Sequence, residues 1–362
     1  MPAHPQPSNA AAPLPGRWFP RRIMIVTDAW EPQVNGVVRT LRTVAGLLRG
    51  WDLQVEVVGP DRFRTIPCPT YGSIRLAVLP GRWLNRLIEA FGPEALHVAT
   101  EGPLGVSARR WALANGAHFT TAYHTRFPEY LQARTGLSPD LSYSLLRRFH
   151  AAGSGMMVAA ASLRRELAAH GFCNILPWSR GVDLELFRPA PRWDWAMPRP
   201  VFLYVGRVAV EKNIEAFLGL DLPGSKAVVG DGPQLDELRR RHPRVHFAGP
   251  LQGAALASAY AGADVLVFPS LTDTFGLVLL EALACGTPVA AYPVTGPIDV
   301  LDGAGNVGAL DADLRAASLR ALQADRAACR GHAEGFSWQV CAERFLANLV
   351  PLKGEFQPAA EE

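Results

Sequence analysis

Two carboxylates, Asp273 and Glu281, stand with seven residues between them in the stretch ADVLVFPSLTDTFGLVLLEALACGTPVAAY, residues 263–292. The apolar run Val265 to Phe268 reads as a buried parallel strand, and Pro269, Ser270 and Thr272 turn it into a polar loop. A helix follows, with Leu277, Leu280 and Ala284 at helical spacing and Gly286 as its stop. Ligands of open α/β sheets bind outside the carboxyl ends of the strands, so both acids are expected to face a site. Phe275, Gly276 and Leu277 sit at the helix entry, where a glycine lets the backbone come close to a ligand and free N–H groups meet anionic oxygen.

A second constellation is cationic. Arg207 and Lys212 follow the strand Val201–Val205 and Gly206, and a helix is expected to begin directly after Asn213. Two cations between a strand's carboxyl end and a helix N-terminus suit a diphosphate, each neutralising one phosphoryl group, with the helix dipole adding to both. The chain has only three lysines, and Lys212 is one of them. His124 stands at the tip of the strand Phe119–Tyr123, followed by Thr125 and Arg126, where it can reach a bound sugar or serve as a structural histidine. Glu101, after the strand Ala95–Ala99, points into a crevice by the same rule. Asn35 and Gly36 lie between the strand that starts at Arg22 and an amphipathic helix bearing Val38, Leu41, Val44, Ala45 and Leu48. Such a glycine either cradles a phosphate or only makes the turn, and no full G-x-G-x-x-G is present.

These residues need two α/β units to hold them. Strands Leu53–Val58 and Ile74–Leu79 are expected in the first, and Lys226–Val229 and Arg244–Ala248 in the second. Helices are expected at residues 81–91, 141–151, 163–170, 235–241, 311–322 and 337–349. The segment APRWDWAMPRP has prolines at 191, 198 and 200 and no periodicity, so it reads as a linker. The helix GRWLNRLIEAF sets Trp83, Leu84, Leu87, Ile88 and Phe91 against Arg82, Asn85, Arg86 and Glu89; it either packs on a core or lies on a membrane surface.

Composition bounds the class. A chain of 362 residues, 49% apolar and 19% charged, with mean hydropathy +0.07, suits two globular domains. No apolar run reaches the roughly 20 residues of a membrane span. Residues 1–16 are expected to be a disordered tail and not a signal peptide. The five cysteines fall at no metal or redox spacing, as expected of reduced thiols in a cytoplasm. Residues 1–190 hold 21 arginines and 13 acids, a net +8 against −5 for the remainder, which suggests that one domain meets an anionic surface.

Taken together, the acid pair, the G-R-x-x-x-x-K of residues 206–212, the Tyr123-His124-Thr125 turn and the Arg180-Gly181-Val182-Asp183 phrase with Phe187 and Pro189 resemble one family. It is the group 1, family 4 class of retaining nucleotide-sugar glycosyltransferases with the GT-B architecture. The phrase DAWEPQVNGVVRTL resembles its lipid mannosyltransferase and sulfoquinovosyltransferase branch. The resemblance implies two Rossmann-like doubly wound parallel-sheet domains facing across a cleft, over residues 17–188 for the acceptor and 189–336 for the donor, with a helix at 337–352 crossing back. It implies transfer of a hexose, with mannose from GDP-mannose preferred over a UDP-hexose, to a lipid or glycolipid hydroxyl, with retention. Arg207 and Lys212 would hold the diphosphate, Glu281 the ribose, Asp273 the sugar hydroxyls and His124 the sugar's far side. Gly36, Gly206, Gly249, Phe275, Gly276 and Leu277 would line the donor, and Asn35, Gly36, Glu101, His124 and Arg126 the acceptor. No metal or other cofactor and no nucleic acid is expected, and the place of work would be cytoplasmic, on or near an anionic membrane surface. Two departures stand out: Asp273 where Glu is usual, and Arg180 where Asn is common. A sugar-nucleotide epimerase or hydrolase of the same fold and a non-catalytic membrane-binding scaffold are the alternatives.

Overall fold

The computed structural model describes residues 18–33, 35–68, 71–124, 128, 138–189, 191–273, 275–301 and 304–354. The expected tail and Arg126 therefore lie outside the described residues. The chain forms two compact units, one of Met1–Tyr123, Arg148–Met157 and Ala342–Glu362, the other of His124–Arg147 and Val158–Cys341.

The first sheet contains β1 (Arg22–Val26), β2 (Gln54–Val58), β5 (Ala95–Val98), β6 (Thr120–Tyr123), β7 (Gly155–Val158) and β8 (Ile175–Pro177), in the order β2-β1-β5-β6-β7-β8. β1 pairs in parallel with both β2 and β5. Met24 and Val26 point to one face and join Leu84, Ile88, Leu96, Val98, Leu104 and Phe119 in a core, while Ile23 and Ile25 are buried on the other. The expected strand Ile74–Leu79 belongs elsewhere: Tyr71–Ala77 (β4) pairs antiparallel with Thr65–Cys68 (β3) in a separate hairpin. That pairing is set by a partner strand only four residues long, too short to announce itself.

The second sheet runs β11 (His246–Gly249), β10 (Ser225–Val229), β9 (Val201–Val205), β12 (Val265–Phe268), β13 (Val289–Ala291), β14 (Gly308–Leu310). Its described pairings are parallel, so the crossovers are helical and both faces are covered. Phe202 and Tyr204 lie on one face of β9 and pack with Val208, Phe217, Val228, Val265 and Val267. Two parallel α/β sheets are thus the architecture expected from the sequence.

Helix Gly36–Gly50 begins at Asn35, whose Oδ1 accepts hydrogen bonds from the N–H groups of Val37 and Val38 at 3.0 Å each. The C-terminal segment joins the first unit: Phe345 meets the His97 ring edge-on at 4.9 Å, and Leu352 N–H donates to Glu94 O at 2.7 Å. Helix Gly81–Phe91 buries only Leu84 and Ile88, so Trp83, expected on its apolar face, is 49% exposed.

Candidate donor site and acceptor-side network

Apart from Gly36, the residues expected to hold the donor lie in the second unit. β9 and β12 are adjacent, and their carboxyl ends deliver Lys212 and Asp273 to each other: Nζ donates to Oδ1 at 2.5 Å. The two side chains are 22% and 19% exposed, which shields the pair from water without sealing it. Asp273 Oδ2 is buried and accepts nothing among the described residues. The cation and the shorter acid, which were assigned to separate parts of the substrate, are here one pair.

The local backbone differs from expectation. Lys212 closes a 3-10 turn, Val210–Lys212, and Asn213 takes φ 51 before a helix of only five residues, Ile214–Leu218. One turn of helix carries little dipole, so the helix contribution expected at this turn is small. Asn213 Nδ2 donates to Pro269 O at 3.1 Å, which ties this turn to the loop after β12. Tyr204 was not singled out by sequence; its hydroxyl donates to Arg207 O at 2.7 Å and fixes the Gly206-Arg207 turn. Burial pushes that phenol above its ordinary range, so it remains a donor. Arg207 is exposed at the turn's surface.

Gly276 caps helix Leu277–Ala284 at φ 82, a conformation that disfavours side chains. Gly296, at φ 90, lies against the same loop; a Cβ there would come within 2.9 Å of Phe275 O. The Phe275 ring is buried and meets Phe336 at 6.4 Å, so it anchors the loop to the core. Leu277 is half-buried, and Gly249 ends β11 at φ 76. Glu281 points inward: it is 2% exposed, and its Oε2 accepts the Tyr260 hydroxyl at 2.9 Å.

His124 follows β6, is 7% exposed, and its Nδ1 lies 2.7 Å from Arg180 Nη2. Trp178 lies beside both, its ring 5.6 Å from the imidazole centroid and tilted to it, and 4.6 Å beneath the guanidinium.

The first unit holds a different network. Glu101 Oε1 lies 3.2 Å from His150 Nε2, and His150 Nδ1 lies 2.9 Å from Thr121 Oγ1. Asp28, at the end of β1, accepts from Thr100 Oγ1 and from the N–H groups of Leu104 and Gly105. It caps helix Pro103–Ala114, and burial nonetheless raises its carboxyl above the usual range. Asn35 and Gly36 are exposed at the neighbouring strand end. No group of three or more His, Cys, Asp or Glu suited to a metal occurs among the described residues.

Comparison with known proteins identifies the family and the fold. A family model described as "Glycosyl transferases group 1" matches residues 199–325, and one described as "Glycosyltransferase Family 4" matches residues 34–186. The sulfoquinovosyl transferase of Arabidopsis thaliana is 31% identical over 370 residues, covering 90% of this chain and 72% of that one. A GDP-mannose-dependent alpha-mannosyltransferase of Mycolicibacterium smegmatis is 29% identical over 306 residues, covering 77% and 82%. Anabaena HepE, solved with UDP and glucose, superposes with TM-score 0.65 at 14% identity over 89% of this chain and 97% of that one, a likeness of fold alone. The chain belongs to the group 1, family 4 nucleotide-sugar glycosyltransferases and has the GT-B fold.

Proposed function

We propose that the protein transfers a hexose, with mannose from GDP-mannose as the first choice, to a hydroxyl of a membrane lipid or glycolipid, forming an α-glycosidic bond with retention. The observation that carries the reading is the Lys212–Asp273 pair at the carboxyl ends of two adjacent strands. When a donor enters, Lys212 exchanges its carboxylate for a phosphoryl oxygen, joined by Arg207, and Asp273 turns its freed oxygen to the sugar hydroxyls. Glu281, held by Tyr260, meets the ribose, and His124 meets the far side of the sugar. The acceptor hydroxyl attacks from the face the diphosphate leaves, and the leaving oxygen takes its proton. The protein's part is positioning and stabilising charge, and that chemistry requires no divalent metal.

A UDP-hexose donor is the second reading, favoured by the similarity to the sulfoquinovosyl transferase over most of the chain. Thermal-shift measurements against GDP-mannose, UDP-glucose and UDP-sulfoquinovose separate the two, because the ligand that binds the native state best raises its melting temperature most. If no nucleotide sugar shifts the melting temperature, the donor assignment is wrong.

A further inference from the structure

Arg180 stands where the family commonly has Asn, and nothing in the proposed chemistry uses it. It is 6% exposed, lies over the Trp178 ring at 4.6 Å, and donates from Nη2 to His124 Nδ1 at 2.7 Å. Its Nη1 is buried without a hydrogen-bond partner, and no carboxylate pairs with it among the described residues. Burial lowers the guanidinium to about 10, which leaves it charged at neutral pH. A buried cation without a counter-ion is costly, and a neutral Asn would avoid that cost. What Arg180 supplies in return is its bond to the imidazole.

That bond has one chemical sense. A guanidinium carries only donors, so the Nδ1 it meets must present a lone pair, and the ring proton must reside on Nε2. A protonated imidazole would set an N–H against an N–H beside a positive charge. Trp178 closes the ring's flank, 5.6 Å away and tilted by 59°, and its Nε1 is fixed by Cys341 O at 3.1 Å.

We propose that Arg180 is a positioning residue that holds His124 as a neutral Nε2–H donor aimed at the transferred sugar, so that His124 gives a hydrogen bond and takes no proton in the reaction. This rests on the reading above that His124 meets the donor sugar. Its other consequence is that the donor must offer an oxygen acceptor at that place.

The test has a spectroscopic and a kinetic arm. In the wild-type chain without substrate, nitrogen-15 NMR at neutral pH should show His124 with a protonated Nε2 and a bare Nδ1. A spectrum showing Nδ1–H or a protonated ring overturns the proposal, whatever becomes of the variants. In Arg180→Met the ring should lose its single tautomer and turnover should fall roughly 10- to 100-fold, the range for removing an outer partner that orients an imidazole. Arg180→Lys, which keeps a donor and the charge, should restore part of both. In a His124→Ala background Arg180→Met should add nothing further, because it acts through the ring. Additive losses, or lost turnover with the tautomer unchanged, mark Arg180 as merely structural and overturn the proposal. Wild-type turnover in His124→Ala instead removes the sugar contact on which the proposal rests, while the resting spectrum remains a separate measure of the Arg180 bond.

Discussion

Lys212 is the residue on which the proposed donor chemistry turns, and its pairing with Asp273 defines what its removal would leave behind. Lys212→Ala deletes a cation and leaves Asp273, with a side chain 19% exposed, without its partner. Losing one charge stabiliser at a leaving group lowers turnover by about 10²-fold or more. Steady-state kinetics on a Lys212→Ala protein whose melting curve shows it folded should report that loss; near-normal kinetics would sink the diphosphate assignment. The same argument predicts full activity in excess EDTA, and activity lost on chelation and restored by Mn²⁺ or Mg²⁺ would show that a metal neutralises the leaving group instead. The sequence exposed these residues through their spacing after strands. It could not expose that Lys212 and Asp273 join, nor that Tyr204 and Tyr260 orient the turn and Glu281, because those bonds link residues 61, 3 and 21 positions apart through the fold. Arg180 was visible only as a departure from a motif; its meaning needed His124 beside it.

Secondary-structure elements were legible where one residue class dominated. β9 and β12 are apolar runs buried along their length, as β1 is from Ile23 on, and they read directly as strands. Helix Gly253–Gly262, with the sequence GAALASAYAG, was missed because nearly all of its residues are small or apolar, which leaves no polar face to mark a period. Helices Pro103–Ala114 and Arg326–Glu334 were missed as well. Asn35 shows how an element claims a candidate site residue: its side-chain oxygen caps helix Gly36–Gly50. Asn35→Ala should therefore lower unfolding free energy by about 1 kcal/mol, measurable by denaturant titration, whether or not an acceptor contacts it. An unchanged stability would show that the cap is idle.

β5 carries a second test. His97 is fully buried between Thr120 and Phe345, and burial lowers its pKa to about 3. The unfolded chain binds that proton near 6.5 and the folded chain only near 3. Below pH 6.5 the unfolded state therefore holds more protons, and stability falls with pH at up to about 1.4 kcal/mol per unit until the folded pKa is reached. Replacing His97 by Gln should flatten this slope between pH 6.5 and 4 in urea titrations. Identical slopes in the two proteins would mean that His97 titrates in the folded state.

At the scale of the whole molecule, the question is where the acceptor lives, and charge is the quantity that bears on it. Residues 1–190 carry net +8 and the remainder −5. No helix among the described residues is long and apolar enough to cross a membrane. The first unit offers a candidate surface for the proposed lipid acceptor. Arg82 and Arg86 are exposed on helix Gly81–Phe91, Trp83 between them is 49% exposed, and the preceding loop holds Val78 at 42% and Leu79 at 92%. Leu79 has φ 48, so a strained backbone keeps an apolar side chain in water, an arrangement that makes sense against an acyl boundary. Arg110 lines a shallow groove beside the same helix with Asn85 and Trp111. Two other arginines of the basic half are engaged within their own units: Arg109 donates to Phe149 O and Arg148 O, and Arg147 to His170 O. Each arginine near an anionic leaflet contributes about 1 kcal/mol, and inserted apolar residues add to it. Co-sedimentation with phosphatidylserine-containing vesicles should therefore rise with the anionic fraction and fall with salt as the Debye length shortens. Arg82→Glu/Arg86→Glu should weaken binding at every salt concentration, while Leu79→Ser should weaken it most at high salt, where the apolar contribution is what remains. A protein that stays in the supernatant with anionic vesicles at low salt would mean that the acceptor is not taken from a membrane.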